Sequence, residues 1–233
     1  MTDNSLNLSQ VIRKRLTDAG ARYWAGDNIA EYITDKEKDM LVDELTGKFE
    51  GVLNSLVIDR YNDPNSMGTA RRLAKMYVYE IMSGRYDESP NATAFPNDTE
   101  GAYQGMLVVR SELKSMCSHH HQTIQGRVHI GYIPSKEGKV VGLSKLNRIV
   151  EYFGRRGTIQ EQYTVAVHNA VDKICEGNQG VAVMVEATHN CVSCRGVKHA
   201  GASMKTSKLS GCFLAEDSAR AEFYEFVKGY NCK

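Results

Sequence analysis

Long apolar runs are absent from this sequence. The longest uninterrupted one is Val181 to Val185, far short of the roughly 20 residues a membrane-spanning helix needs. Neither sign of charge is in excess: 29 Lys plus Arg face 28 Asp plus Glu, a formal charge of +1. That balance excludes a polybasic binder of nucleic acid or membrane surfaces, so any anion site must be local. The opening stretch MTDNSLNLSQVIRKRLTDAG has no apolar segment of the secretory kind, and the chain is expected to be cytoplasmic and soluble. No internal repeat or low-complexity tract stands out.

At 233 residues the chain can bury a sizeable core without disulfide staples, so size does not explain its cysteines. There are six: Cys117, Cys175, Cys191, Cys194, Cys212 and Cys232. In a reducing cytosol they are thiols or metal ligands. The triplets Asn91-Ala-Thr93 and Asn97-Asp-Thr99 are then loop composition rather than glycosylation sites.

Periodicity divides the chain. Leu41, Leu45, Phe49, Val52 and Leu56 recur at steps of four and three, one face of an amphipathic helix. A second helix is expected over TARRLAKMYVYEIMSG, capped by Thr69 and stopped at Gly84. These place a helical region over 1–84. The stretch 85–104, with Pro90, Pro96 and clustered Asn, Asp and Ser, reads as a connecting loop. Over 105–233 the period changes: MLVVRSELKSM and TIQGRVHIGYIP read as strands, the latter alternating Val128, Ile130 and Tyr132 with Arg127, His129 and Gly131. Helical spacing returns in LSKLNRIVEYF and TIQEQYTVAVHNAVDKICEG. GVAVMVEAT then reads as a buried strand, ASMKTSKLSGCF as an amphipathic one and DSARAEFYEFVKG as a closing helix. This order predicts an α+β fold, a mainly antiparallel sheet with helices on one face.

The chemistry concentrates in MCSHHHQTIQG, where Cys117 and His120 stand three apart, and in THNCVSC, with His189, Cys191 and Cys194. One tight turn can aim two ligands so spaced at one ion, and thiolate with imidazole favours zinc. A closed site of Cys117, His120, Cys191 and Cys194 would be structural; three of these ligands and an open position would be catalytic. Buried, unligated cysteines are a third reading. Cys175, Cys212 and Cys232 are expected to be of that kind or simply exposed, and His129, His168 and His199 carry no functional reading. Ser144, Lys145 and Arg148 at a helix start, with Arg195 and Lys198, could bind phosphates. Gln160 and Glu161 could match the amidine-like edge of a purine.

In order, RRLAKMYVYEIMSG, CSHH, IGYIPSKEGKVVGLSKLNRIVEYFGRR, IQEQ, GVAVMVEATHNCVSCRGV and LSGCF resemble GTP cyclohydrolase I, from about Thr69 to the last helix. The resemblance implies the tunnelling fold, in which subunits join antiparallel sheets into a barrel, and a toroidal homodecamer with active sites between subunits. It implies Zn2+ held by Cys117, His120 and Cys191, with Cys194 a bystander. It also implies conversion of GTP to 7,8-dihydroneopterin triphosphate and formate through attack of water at purine C8. By the same resemblance His119 and His189 handle protons, and Ser144 serves the ribose rearrangement. Glu161 holds the guanine ring with Gln160 beside it, and Lys145, Arg148, Arg195 and Arg72 hold the triphosphate. The product feeds folate, tetrahydrobiopterin or 7-deazaguanine synthesis in such enzymes. Two departures stand out: Ser118 replaces the usual glutamate of C-E-H-H, and His121 follows where an apolar residue is common. A variant halting at the formamidopyrimidine and a non-catalytic zinc-stabilised nucleotide-binding oligomer are the alternative expectations.

Overall fold

The computed structural model describes residues 6–98 and 101–229. Thr99 and Cys232 lie outside that range. The chain divides into two compact units, residues 1–88 and 89–233. Among the described residues no helix is long and apolar enough to cross a membrane.

The first unit is helical: α1 (Leu8–Asp18), α2 (Asp35–Ser55), α3 (Thr69–Lys75), a π-helical stretch over Met76–Ile81 and the short α4 (Ser83–Tyr86). Capping boxes start the first two, Asn7 with Gln10 and Thr34 with Glu37, each satisfying backbone N–H groups that a helix start leaves unpaired. Ile12, Leu16, Leu41, Val42, Ala74 and Val78 form its core. At α3 the structure corrects the expected cap. Gly68, with φ of 76°, precedes the helix, and Thr69 is its first residue, its hydroxyl reaching back to the Asn65 carbonyl at 3.5 Å. Gly84 likewise lies inside α4 rather than ending a helix.

The second unit is built on a five-stranded sheet of order β5-β2-β3-β6-β7. Its elements are β1 (Ala94–Pro96), β2 (Leu107–Cys117), β3 (Thr123–Pro134), β4 (Lys139–Val141), α5 (Leu143–Gly154), β5 (Gly157–Thr158), α6 (Gln160–Ile174), β6 (Asn178–His189), α7 (Asn190–Ser193), β7 (Ser203–Leu209), α8 (Cys212–Ala215) and α9 (Asp217–Gly229). All pairings in this sheet are antiparallel except β2 with β5. The stretch expected as a loop carries β1, which pairs with β4. There Asn97 is buried and donates its side-chain amide to the carbonyls of Tyr103 at 2.7 Å and Ser135 at 2.9 Å.

Alternation sorts the strands into two faces. Val128, Ile130 and Tyr132 of β3 and Val181, Val183 and Val185 of β6 pack against Leu146, Ile149 and Val150 of α5 and Tyr163, Val167 and Val171 of α6. Each such large side chain contributes about 1.5–3 kcal/mol on burial. Tyr163 also donates its hydroxyl to the Val150 carbonyl at 3.0 Å, joining the two helices. The expectation of helices on one face needs correction. Ala182 and Met184 point the other way and are covered by Phe213 of α8 and Phe223 and Val227 of α9. Gly131 permits this: a Cβ there would lie 2.6 Å from the Phe223 ring. The rest of that face is charged, with Glu112, Arg127, Glu186 and Lys205 side by side across β2, β3, β6 and β7.

Candidate metal centre

Three chain segments meet at one end of the sheet. β2 ends at Cys117, whose N–H donates to the Gln122 carbonyl at 2.9 Å, closing a tight connection to β3. His121 makes that turn with φ of 51°, left-handed backbone that is uncommon for a residue with a side chain, and its N–H returns to the Cys117 carbonyl at 2.9 Å. β6 pairs His189 with Ile124 at the start of β3, which brings α7 and Cys191 alongside the turn. β5 pairs Thr158 in parallel with Cys117, and the Ser118 N–H donates to the Thr158 carbonyl at 3.2 Å. Because α6 starts two residues later, Gln160 and Glu161 arrive at the same place.

The ligand atoms of Cys117, His120 and Cys191 all lie within 4.8 Å of one another. Zn–S bonds of about 2.3 Å and Zn–N bonds of about 2.0–2.1 Å need donors gathered to this degree. Two thiols and an imidazole suit a borderline-soft dication. Burial, and then the neighbouring Cys117 thiol, push the Cys191 thiol above its ordinary range, while Arg195 pulls the other way. A dication between two thiolates would relieve that crowding. Cys117 is buried, Cys191 half-buried and His120 exposed, so the group is reachable from solvent. Cys194 is exposed and is not among the converging ligands. The donor set among the described residues is therefore three, the number that leaves a position open, and not a closed four.

The remaining candidates sort by distance along the fold. His119 is exposed, its ring edge-on to that of His120 with centroids 6.3 Å apart. His189 is half-buried, and burial lowers its pKa, opposed by the Glu161 carboxylate nearby. Arg195 faces Cys191 closely enough to act on its thiol. These, with Glu161, belong to the metal group's surroundings. Gln160 departs from the sequence expectation. It is 1% exposed, and its side-chain amide is engaged by Val185, Met204, Thr206 and His189, so it presents no free group to a base.

Ser144, Lys145 and Arg148 are not brought to the metal group within one chain. They occupy the first turns of α5, whose N-cap, Gly142, has no side chain to cap it. Asn147 between them is bonded to Ser111 of β2, six residues before Cys117, about 20 Å along a strand. Arg72 lies on α3 in the other unit. The bracing residues Thr158, Thr164 and Thr206 escaped the sequence reading, since nothing in a lone threonine distinguishes a brace from a strand or helix filler.

Known proteins share much of this sequence. Residues 46–228 match the family model for GTP cyclohydrolase I. The GTP cyclohydrolase 1 of Aeromonas salmonicida is 39% identical over 189 residues, covering 80% of this chain and 84% of that protein. The GTP cyclohydrolase 1 of Actinobacillus pleuropneumoniae serotype 5b is 41% identical over 193 residues, covering 82% and 86%. That of Flavobacterium johnsoniae is 38% identical over 198 residues, covering 84% of each.

Proposed function

This chain belongs to the GTP cyclohydrolase I family of hydrolases, and from that premise we propose that it is a zinc enzyme converting GTP to 7,8-dihydroneopterin triphosphate and formate. The convergence of Cys117, His120 and Cys191 carries the reading. Zinc held there would supply a Lewis acid that makes water nucleophilic near neutral pH.

The chain's own residues do the rest. The Glu161 carboxylate, in the first turn of α6, accepts the ring N–H and exocyclic amino hydrogens of guanine, a two-bond match to an acceptor-only group. One water added at C8 opens the imidazole ring to a formamide and a second water cleaves that formamide to release formate, with His119 and His189 exchanging the protons of both steps. The lowered pKa of His189 keeps it neutral, and so able to accept a proton, around neutrality. Lys145, Arg148, Arg195 and Arg72 hold the triphosphate, and Ser144 serves the ribose rearrangement before the pterin ring closes.

Two features support a site completed by another copy of the chain, and from the family we infer a cytoplasmic homodecamer of the tunnelling fold. The α5 cations lie a strand's length from the metal group of their own chain. Among the described residues, β7 has β6 as a neighbour on one side and no strand on the other, an edge able to pair with a second chain. Titrating zinc into metal-free protein tests the metal assignment. Formate release should rise with metal and level off near one zinc per chain, whereas formate release indifferent to zinc would refute it.

A further inference from the structure

Gln160 is the first residue of α6, and its amide is surrounded on all sides. Nε2 has three acceptors within reach of its two hydrogens: the Met204 carbonyl at 3.0 Å, Thr206 Oγ1 at 3.1 Å and the Val185 carbonyl at 3.2 Å. Oε1 lies 2.8 Å from His189 Nε2. Backbone carbonyls only accept, so a flipped amide would set its oxygen against two other oxygens; the neighbours therefore fix which end is which.

The Thr206 contact closes consistently. Thr164 donates its hydroxyl to the Gln160 main-chain carbonyl at 2.8 Å, so the 2.7 Å contact between Thr164 and Thr206 uses the Thr206 hydrogen. Thr206 oxygen is then free to accept from Gln160. The result is a closed ring of donors and acceptors, each polarising the next. Since Gln160 Oε1 offers lone pairs only, His189 must meet it with a hydrogen on Nε2. In the neutral ring the lone pair is then on Nδ1.

We propose that Gln160 is a positioning residue: its Oε1 accepts from His189 Nε2–H and so holds that ring in one tautomer and one orientation beside the metal group. The inference rests on the proposed function, in which His189 acts on the substrate. The opposite tautomer would face Oε1 with a lone pair and lose the bond. As a base contact, Gln160 would have to surrender this whole ring, while the exposed Glu161 beside it needs no such rearrangement.

Zinc-loaded protein carrying 15N-histidine, compared by solid-state NMR with a His189→Asn variant, isolates the His189 signals. The wild type should show a protonated Nε2 and an unprotonated Nδ1. Gln160→Leu should keep its zinc and its KM within about threefold while kcat falls about 100-fold, with formamidopyrimidine accumulating. Thr206→Val, a gentler change should Gln160→Leu fail to fold, should lower kcat about 3–10-fold in the same pattern. A protonated Nδ1 in the wild type would overturn the proposal. So would a folded Gln160→Leu protein with kcat intact and KM raised tenfold or more, the mark of a lost base contact. Wild-type protein that shows the Nε2–H signal but releases no formate would refute the reaction while supporting the brace.

Discussion

Ser111 donates its hydroxyl to Asn147 Oδ1, tying the second turn of α5 to the middle of β2. That bond fixes where Ser144, Lys145 and Arg148 can be: beside residue 111, about 20 Å down the strand from Cys117. A triphosphate held by these residues would lie a strand's length from a purine at the metal group of the same copy, which is why we propose a site completed by a second copy.

Subunit mixing follows from this separation. His189→Ala and Arg148→Ala should each be inactive alone, yet co-refolded in equal amounts they should recover about one quarter of wild-type turnover, the share of sites drawing both intact residues from a random assembly. A mixture as inactive as its parts would mean that both residues serve the same copy's site.

The three-ligand donor set predicts different fates for two neighbouring cysteines. Cys194→Ala should retain about one zinc per chain and a rate within about twofold of wild type, because Cys194 stands outside the converging group. Cys191→Ala should lose both. Metal analysis beside formate release separates these outcomes, and loss of zinc from the Cys194 variant would restore the closed-site reading.

Acid should destabilise the fold before it protonates carboxylates. Burial lowers the pKa of His129, with Arg110, Arg127 and Lys205 adding to the effect and Glu186 opposing it. Burial also lowers that of His168, where Lys208 adds to the shift and Asn169, Asp172 and the Val181 backbone oppose it. Below the ordinary value of 6.5 the unfolded chain binds protons that the fold refuses. Stability is therefore full above that pH and is lost as pH falls toward the lowered values. Urea midpoints should drop between about pH 7.5 and about pH 5.5, and by less in a His168→Gln variant. Equal slopes for variant and wild type would show that His168 does not contribute.

Two glycines in β3 should differ in tolerance. At Gly126 a Cβ would lie 2.0 Å from the Glu186 carbonyl oxygen, an obstacle of backbone; at Gly131 it would lie 2.6 Å from a side chain, the Phe223 ring. Gly131→Ala should cost about 1–3 kcal/mol as α9 shifts, and Gly126→Ala should cost more. Thermal or urea melts of the two variants check the order, and the reverse order would contradict the packing described for this sheet.

The sequence made some of this legible and hid the rest for physical reasons. β3 spans the quoted run TIQGRVHIGYIP because alternation and a closing proline are both local signals. The second face of the sheet was not readable, since Gly131 permits α9 to pack there through an absent side chain. Cys117, His120 and Cys191 were legible as donor types at recognised positions, but exclusion of Cys194 depends on how α7 leaves β6. The bonds of Gln160 were hidden because its partners come from β6 and β7, 25 to 46 residues away, and no local pattern announces such a bond.

One incubation bears most directly on the central claim: zinc-loaded protein with GTP, formate quantified and the purine-derived product identified by mass. Formate and 7,8-dihydroneopterin triphosphate in equal amounts are the predicted result, and they would show that Ser118 serves where glutamate is usual. GTP recovered unchanged, with zinc still bound, would contradict the account.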